Sequence, residues 1–482
     1  VMGLRLGQRA NGVSRLHGEV SREMFSGLWP GFDSEEIPIG SITNGVHAQT
    51  WLHPALLQML ETATGDGLDF DAVRSVDAGA LWQCKRELRA DLVAMVRSRL
   101  RASTQHRGLP TEWVDKVLDP DVLTFGFARR VPSYKRLTLM LRDPARLKAL
   151  LTDPQRPIQI VIAGKSHPAD EGGKRLIQEM VRFADDEEVR HRIVFLPDYD
   201  IAMARPLYPG CDVWLNNPLR PYEACGTSGM KAAMNGAANL SIRDGWWDEW
   251  YEPDFGWAIP SAEGVDDPDR RDDLEAAALY ELIETEIAPR FYERDSDGLP
   301  LRWIAMMKAT IAGLGPRVMA TRMVRDYVTS LYGPASASSH ELNDDPARTA
   351  EHVAWKQRVQ QHWDRVSVGE VDSDLTGAVA VGDVVTVHAT VHLGELAPDD
   401  VTVQLIAGRV NGDDELHDVV VEDAGAPESL GEGRYRYAGP IRVARAGALG
   451  YTARVVPRVR AGISVADLGL AVLPAEVEHP SA

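Results

Sequence analysis

The chain reads as an α/β protein: a doubly wound parallel sheet in its middle, followed by a separate β-sandwich. Three observations predict this. Between residues 121 and 215, apolar strand-like runs alternate with helix-like ones, the grammar of a parallel sheet with right-handed crossovers. Helical spacing fills the segments on either side. From Thr376 the apolar period changes to two, with turns such as Asn411-Gly412 between the runs, as in antiparallel strands.

In chain order, residues 1–30 read as two helices joined at Asn11-Gly12, the second over 14–25 with Val13, Leu16, Val20 and Met24 at helical spacing. His17 lies beside that stripe. Residues 37–42 read as a short strand and Asn44-Gly45 as a turn. Residues 52–119 are mostly helical in pattern. Over 81–100, Leu88, Leu92, Val93, Val96 and Leu100 turn inward, and the charges are expected to face water. The alternating region gives strands at 122–127, 157–163, 192–196 and 212–215 and helices at 144–151, 172–183 and 201–207, with Pro144 suited to a first helical position. Trp246, Trp247 and Trp250 crowd residues 243–260, either to stack on sugar rings or to pack. An acidic turn over 266–274 caps a helix, and 303–332 is helical with a break at 313–316. Residues 334–339 read as a linker, 347–366 as a helix, and strands at 384–391, 401–406, 419–421, 435–437 and 451–456 as a sandwich of about a hundred residues.

Composition narrows what such a chain can do. Its 482 residues allow about two to four domains. A content of 44% hydrophobic and 26% charged residues belongs to a globular chain, not a disordered one. The net charge of −19 argues against nucleic acid and anionic membranes as partners, so an anionic ligand needs a local basic pocket. Three cysteines (Cys84, Cys211, Cys225) are too few for a disulfide framework, which fits a reducing cytoplasm. No apolar run has transmembrane length and no signal peptide opens the chain. The start at Val1-Met2-Gly3-Leu4, mid-pattern, leads us to expect a missing N-terminal part. No metal cluster, nucleophile elbow or internal repeat is read.

Two segments carry chemistry. Residues 221–231 (Pro-Tyr-Glu-Ala-Cys-Gly-Thr-Ser-Gly-Met-Lys) leave the fourth strand and enter a run of helix formers. A helix start offers free N–H groups and a favourable dipole to an anion. Gly226 and Gly229 let the backbone come close, Thr227 and Ser228 add hydroxyls, and Lys231 falls in the first turn. Such a lysine suits a Schiff base with a pyridoxal cofactor or plain phosphate binding; a capped helix start with a solvated lysine has the same local pattern. Residues 129–136 follow the first strand with Arg129, Arg130, Tyr134, Lys135 and Arg136. Both segments fall at the carboxyl edge of a parallel sheet, where ligands bind. Four cations there, in a chain of net charge −19, point to a phosphate site.

Glu-Ala-x-Gly-Thr-x-x-Met-Lys at 223–231 resembles the cofactor segment of the glycogen (α-glucan) phosphorylases, and Arg-Arg-x-x-x-Tyr-Lys-Arg at 129–136 resembles that family's basic segment after the same strand. Residues 11–19 (Asn-Gly-Val-Ser-Arg-Leu-His-Gly-Glu) and Thr43-Asn44-Gly45 are similar as well, so the resemblance covers about 1–332. It implies that Lys231 carries pyridoxal 5′-phosphate, with Gly226, Thr227, Ser228 and Tyr199 also at the cofactor. It implies that Arg130 and Lys135 grip the substrate or cofactor phosphate. Asn44, Tyr134, Glu223, Ala224, Cys225 and Gly226 become substrate-binding, and His17, Arg130, Lys135, Glu223 and Lys231 catalytic. Cys225 stands where relatives often have Ser. Many relatives have Tyr-Arg after the third strand; here it is Tyr199-Asp200, with Arg205 the candidate replacement.

The resemblance further implies the two-Rossmann-domain glycosyltransferase (GT-B type) fold. Residues 1–50 would be the remnant of the first domain, 51–333 the second with its crossing helices, 334–370 a linker and helix, and 371–482 a β-sandwich of open role. The implied reaction is phosphorolysis of α-1,4-glucan to α-glucose 1-phosphate in the cytoplasm. Its partners are glucan and inorganic phosphate, without nucleic acid or membrane, and a homo-oligomer is compatible. Glucan synthases that use nucleotide sugars share the fold, many with Glu-x7-Glu at this loop; here the second position is Lys231, which favours the phosphorylase. A non-catalytic glucan-binding protein is the other alternative.

Overall fold

The computed structural model describes residues 1–64, 68–130, 133–375, 377–412, 416–459 and 464–475. Val131 and Pro132 of the basic segment, and Thr376, where the period of two is expected to begin, lie outside the described residues. The chain forms two compact units. One is Gly12–Gly18 with Ser41–Tyr327; the other is Val1–Asn11 with Glu19–Gly40 and the chain from Val328 on.

Among the described residues the first unit holds six parallel strands: β1 (Leu123–Arg130), β2 (Ile158–Lys165), β3 (Ile193–Pro197), β4 (Val213–Asn216), β5 (Ala238–Ile242) and β6 (Gly256–Ile259). Their order is β3-β2-β1-β4-β5-β6. Strands buried on both faces call for near-continuous apolar runs, and β2 and β4 have them. Phe125, Phe127, Ile160 and Ile162 face one core; Ala128, Val161 and Ala163 face another. Helices α1 (Ala78–His106), α2 (Pro144–Thr152), α3 (Glu171–Ala184), α4 (Ile201–Gly210) and α5 (Thr227–Met234) cover these faces. The strand order reverses between β1 and β4, so the crevice beyond their carboxyl ends is the ligand position of this topology.

Two expectations change here, and one left open is decided. Lys85 and Arg89 of α1, expected in water, are 0% and 1% exposed. They share the helix face of Leu81, Leu88 and Leu92, and burial is tolerated because Arg89 pairs with Asp212 at 2.6 Å. The break expected at 313–316 is absent, since one helix runs Leu301–Val318. Gly313 and Gly315 instead permit contact: a Cβ on them would meet Phe255 Cζ at 2.4 Å and Phe70 Cγ at 2.3 Å. Trp246 and Trp247, in the short helix Trp246–Trp250, are buried in the core, so packing is their role.

In the second unit, β7 (Ser367–Ser373), β8 (Val384–His392), β9 (Val401–Val410), β10 (Leu416–Asp423), β11 (Glu428–Gly431), β12 (Arg434–Arg442) and β13 (Leu449–Pro457) form two antiparallel sheets, ordered β11-β12-β8-β7 and β10-β9-β13. Val385, Val387, Ala389 and Val391 alternate inward against Val401, Val403 and Leu405. Trp355 and Val359 of the helix Pro346–His362 join that core. Residues 334–339, expected as a linker, are helical within Gly333–Asn343; Pro334 sits in the first turn, where its missing N–H is harmless. Trp29, Phe32, Ile37 and Ile39, from the segment grouped by sequence with the first-domain remnant, pack with Val456 and Ala466. Among the described residues, no helix is long and apolar enough to cross a membrane.

Candidate active site

The carboxyl ends of β1 and β4 place cations beside the 221–231 loop. Arg129 is buried, and its Nη2 donates to Asn216 Oδ1 at the end of β4 (2.5 Å). Its guanidinium lies 4.6 Å from the Phe127 ring centre, as period two along a strand dictates; both faces of β1 are buried, so it is the end of the strand that leaves Arg130 exposed and Arg129 inside. Nη1 is 3.9 Å from Glu223 Oε2, and Nε and Nη1 are buried without a hydrogen-bond partner among the described residues. Burial lowers the pKa of this guanidinium, opposed by Glu223. Arg130, the expected phosphate grip, is exposed at the strand end.

Lys135 forms an ion pair with Glu223 Oε2. Burial and the Arg129 charge lower its ammonium to about 8, with Glu223 opposing. Its Nζ is 4.9 Å from the Tyr134 ring centre, and burial with Glu223 raises the Tyr134 phenol. Arg136 has another task. It donates to the carbonyls of Asn217 (3.0 Å) and Pro218 (2.8 Å) and to Asp272 (2.8 Å) and Glu275 (2.5 Å), clamping the loop that leaves β4.

The sequence did not single out Asp244, which fixes the loop from beneath. Its carboxylate accepts from Glu223 N–H (3.0 Å) and Gly245 N–H (2.8 Å). Burial pushes this carboxyl up to about 7, against the pull of those two N–H bonds. Gly226 (φ +83°) caps α5, and a Cβ there would meet Glu223 Oε1 at 2.9 Å.

Lys231, expected in the first helical turn, lies in the last turn of the eight-residue α5, because the helix begins only at Thr227. Its Nζ lies 4.0 Å from the Trp51 ring centre and 5.4 Å from that of Tyr208. No carboxylate pairs with it among the described residues, and burial lowers its pKa. The Tyr208 hydroxyl is 2.7 Å from that of Tyr199, and the charge of Arg129 acts on both phenols. Thr227 and Ser228 open α5, half-buried, and Ser228 Oγ accepts from Trp214 Nε1 (3.2 Å).

The segment around His17 is tied to the same loop. Ser14 Oγ donates to the Ala224 carbonyl (2.7 Å), and Val13 N–H donates to His17 Nδ1 (3.1 Å). Burial lowers the His17 pKa, so the neutral ring carries its proton on Nε2. Asn44 N–H donates to Val13 O (3.0 Å), and Arg322 donates to the Asn44 carbonyl (2.8 Å). Cys225 is buried, its thiol pushed up to about 12. Asp200 spends its carboxylate capping α4 at Met203 N–H (2.8 Å), while Arg205 is exposed and lines a cavity with Asp91 and Pro209 instead of joining Arg129. The structure thus gathers His17, Asn44, Tyr134, Lys135, Glu223, Ala224, Cys225 and Gly226 on one side and Tyr199, Thr227, Ser228 and Lys231 on the other, with Arg129 facing both.

A family model described as carbohydrate phosphorylase matches residues 2–249, and one described as glycogen phosphorylase C-terminal domain matches 363–475. The chain is 54% identical over 483 residues to a glycogen phosphorylase of Mycobacterium tuberculosis, covering 98% of this chain and 56% of that protein. It is 42% identical over 343 residues to the glycogen phosphorylase of Aquifex aeolicus (69% and 49% covered) and 35% over 453 residues to the maltodextrin phosphorylase of Thermococcus litoralis (91% and 52%). The chain spans about half the length of these curated relatives. With the first model matching more than half of the residues, and with the cation cluster and the lysine loop at one crevice, this chain belongs to the carbohydrate (glycogen) phosphorylase family.

Proposed function

We propose that this protein phosphorolyses α-1,4-glucan from its non-reducing end, giving α-glucose 1-phosphate, with pyridoxal 5′-phosphate held by Lys231. The parallel-sheet unit then serves as the second domain of a two-Rossmann-domain glycosyltransferase arrangement of the GT-B type. One observation carries the reading: a half-buried lysine amine in the last turn of α5, lacking a carboxylate partner among the described residues, stands between the rings of Trp51 and Tyr208. The names of its relatives point the same way.

The residues fit that cofactor. A lysine with a lowered pKa is a ready nucleophile toward an aldehyde. The Nε and Nη1 of Arg129, unpartnered among the described residues, and the start of α5 suit a phosphate group. When bound, the cofactor supplies a phosphate that exchanges a proton with the substrate phosphate.

The protein's own groups do the rest. Lys135, protonated at neutral pH, and Arg130 draw inorganic phosphate into a chain of net charge −19 and hold it against repulsion. The substrate phosphate gives its proton to the departing glycosidic oxygen as the C1–O bond breaks, and a phosphate oxygen then bonds to C1. Glu223 faces the developing positive charge at C1. His17 Nε2–H and the Asn44 amide orient sugar hydroxyls, and Tyr134 walls the glucose from water.

Given maltodextrin and phosphate, the protein should release glucose 1-phosphate only when phosphate is present. Lys231→Ala should abolish that release and the covalent pyridoxal recovered after borohydride reduction. Glucan cleavage without phosphate, or activity requiring a nucleotide sugar, would overturn the proposal.

A further inference from the structure

Two buried groups outside the crevice converge on Lys231. Lys85 of α1, 0% exposed, donates from Nζ to the Pro209 carbonyl (2.7 Å) and the Asn235 carbonyl (3.2 Å). These carbonyls close α4 and α5, and a cation suits such C-terminal ends. Pro209 follows Tyr208, and α5 carries Lys231. Asn235, also 0% exposed, donates from Nδ2 to the carbonyls of Trp51 (2.7 Å) and Lys231 (2.8 Å), while its Oδ1 accepts from His53 N–H (2.8 Å). Trp51 and Tyr208 are the two rings that contact the Lys231 amine, and they meet edge-on at 5.5 Å.

We propose that Lys85 and Asn235 are positioning residues: together they hold the backbones of Trp51, Tyr208 and Lys231 in one register, so that the lysine amine is presented between two rings toward its cofactor. Among the described residues no backbone hydrogen bond joins the segments 51–53, 208–209 and 231–235; their rings meet, and these two side chains supply the hydrogen bonds that fix their backbones. The buried cation is tolerated because Asp212, paired with Arg89, lies close enough to oppose its desolvation. The inference rests on the reading of Lys231 as the cofactor lysine for its purpose, but not for its geometry.

The test separates geometry from stability. Lysine amines of the whole chain are reductively 13C-methylated, and the Lys231 signal, assigned by its loss in Lys231→Arg, should carry an upfield ring-current shift. In Lys85→Met, nearly isosteric, and in Asn235→Ala, that signal should move toward the position of solvated lysines. Covalent capture of pyridoxal 5′-phosphate, trapped by borohydride, should slow by about tenfold to a hundredfold for a displaced nucleophile. Binding of pyridoxine 5′-phosphate, which has no aldehyde, should stay near the wild-type value. Lys85→Arg, which keeps the cation and its donors, should restore part of the capture rate. Leu151→Ala, a remote core cavity, is the stability control: it should lower the melting temperature without moving the Lys231 signal. An unmoved signal in both variants, or capture and analogue binding falling in equal proportion, would overturn the inference. Should the wild-type chain show the shifted signal yet capture no pyridoxal phosphate, the cofactor reading fails and the positioning role stands.

Discussion

Lys135 and Glu223 are joined by a buried ion pair, with Arg129 Nη1 3.9 Å from the same carboxylate oxygen. One carboxylate thus balances two cations where an anion is proposed to bind. A phosphate entering here would meet charges already desolvated and held in place, the condition under which such charges act most strongly.

Replacing Lys135 or Arg130 with Ala should raise the phosphate concentration needed for half-maximal rate far more than the glucan concentration. One charge-assisted contact is worth about 1.5–3 kcal/mol, or about tenfold to over a hundredfold. Because Lys135 titrates at about 8, the wild-type phosphate requirement should also rise as pH passes through that value and the ammonium loses its proton. Initial rates over a grid of phosphate, glucan and pH check both statements. Parallel loss for the two substrates would make the cluster structural.

Stability should respond to pH through Asp244. Its carboxyl is held at about 7, against an ordinary value of 3.8. Between these values the folded chain keeps a proton that the unfolded chain has released, so stability present below about pH 4 is lost as pH rises toward 7. The amount is at most a few kcal/mol, since roughly 1.4 kcal/mol attaches to each pKa unit. Asp244→Asn should flatten this slope in urea titrations at a series of pH values. It should also weaken glucan use, because an amide oxygen accepts from one of the two N–H groups that the carboxylate now holds.

The parallel sheet and both chemical segments were legible because their signals are local: apolar runs with punctuation, glycines in a loop, cations in a row. The residues that brace the site were not. Lys85 and Arg89 looked like a solvated face, since nothing in α1 reveals that Asp212 and two helix ends will pack against it. Asp244 is an ordinary Asp-Gly turn until the fold brings it beneath Glu223. Residues 334–339 have linker composition, yet Pro334 suits a first helical turn and the small residues after it do not oppose a helix. Arg129 and Arg130 are neighbours of one type, and only the point at which β1 leaves the covered sheet makes one buried and the other exposed.

Gly226→Ala should disable the loop without harming the sheet. Gly226 has φ +83°, a conformation costly for alanine, and the added Cβ would meet Glu223 Oε1 at 2.9 Å. A loss of about 1–3 kcal/mol is expected from strain of this kind. It would be relieved by shifting Glu223 away from Lys135. The expected result is a folded protein, by far-ultraviolet circular dichroism, with a large fall in turnover. Wild-type turnover would show that the loop conformation is not required.

The second unit offers an independent test of how its N-terminal segment is held. Arg454 is buried and donates to Glu36 (2.6 Å), Gln404 Oε1 (2.9 Å) and the Gly31 carbonyl (3.0 Å), with its guanidinium 4.8 Å from the Phe32 ring centre. Glu36→Ala removes the carboxylate and leaves a buried guanidinium uncompensated, which costs about 3–5 kcal/mol in comparable sites. Arg454→Met removes the charge along with its partners' demand for it, keeps most of the apolar stem, and should cost less. The double variant should therefore be more stable than Glu36→Ala alone. Denaturant unfolding of the three variants, with limited proteolysis of the segment Glu19–Gly40, measures this order. If Glu36→Ala is no less stable than the double variant, the ion pair does not hold the segment, and the apolar contacts of Trp29 and Phe32 carry it instead.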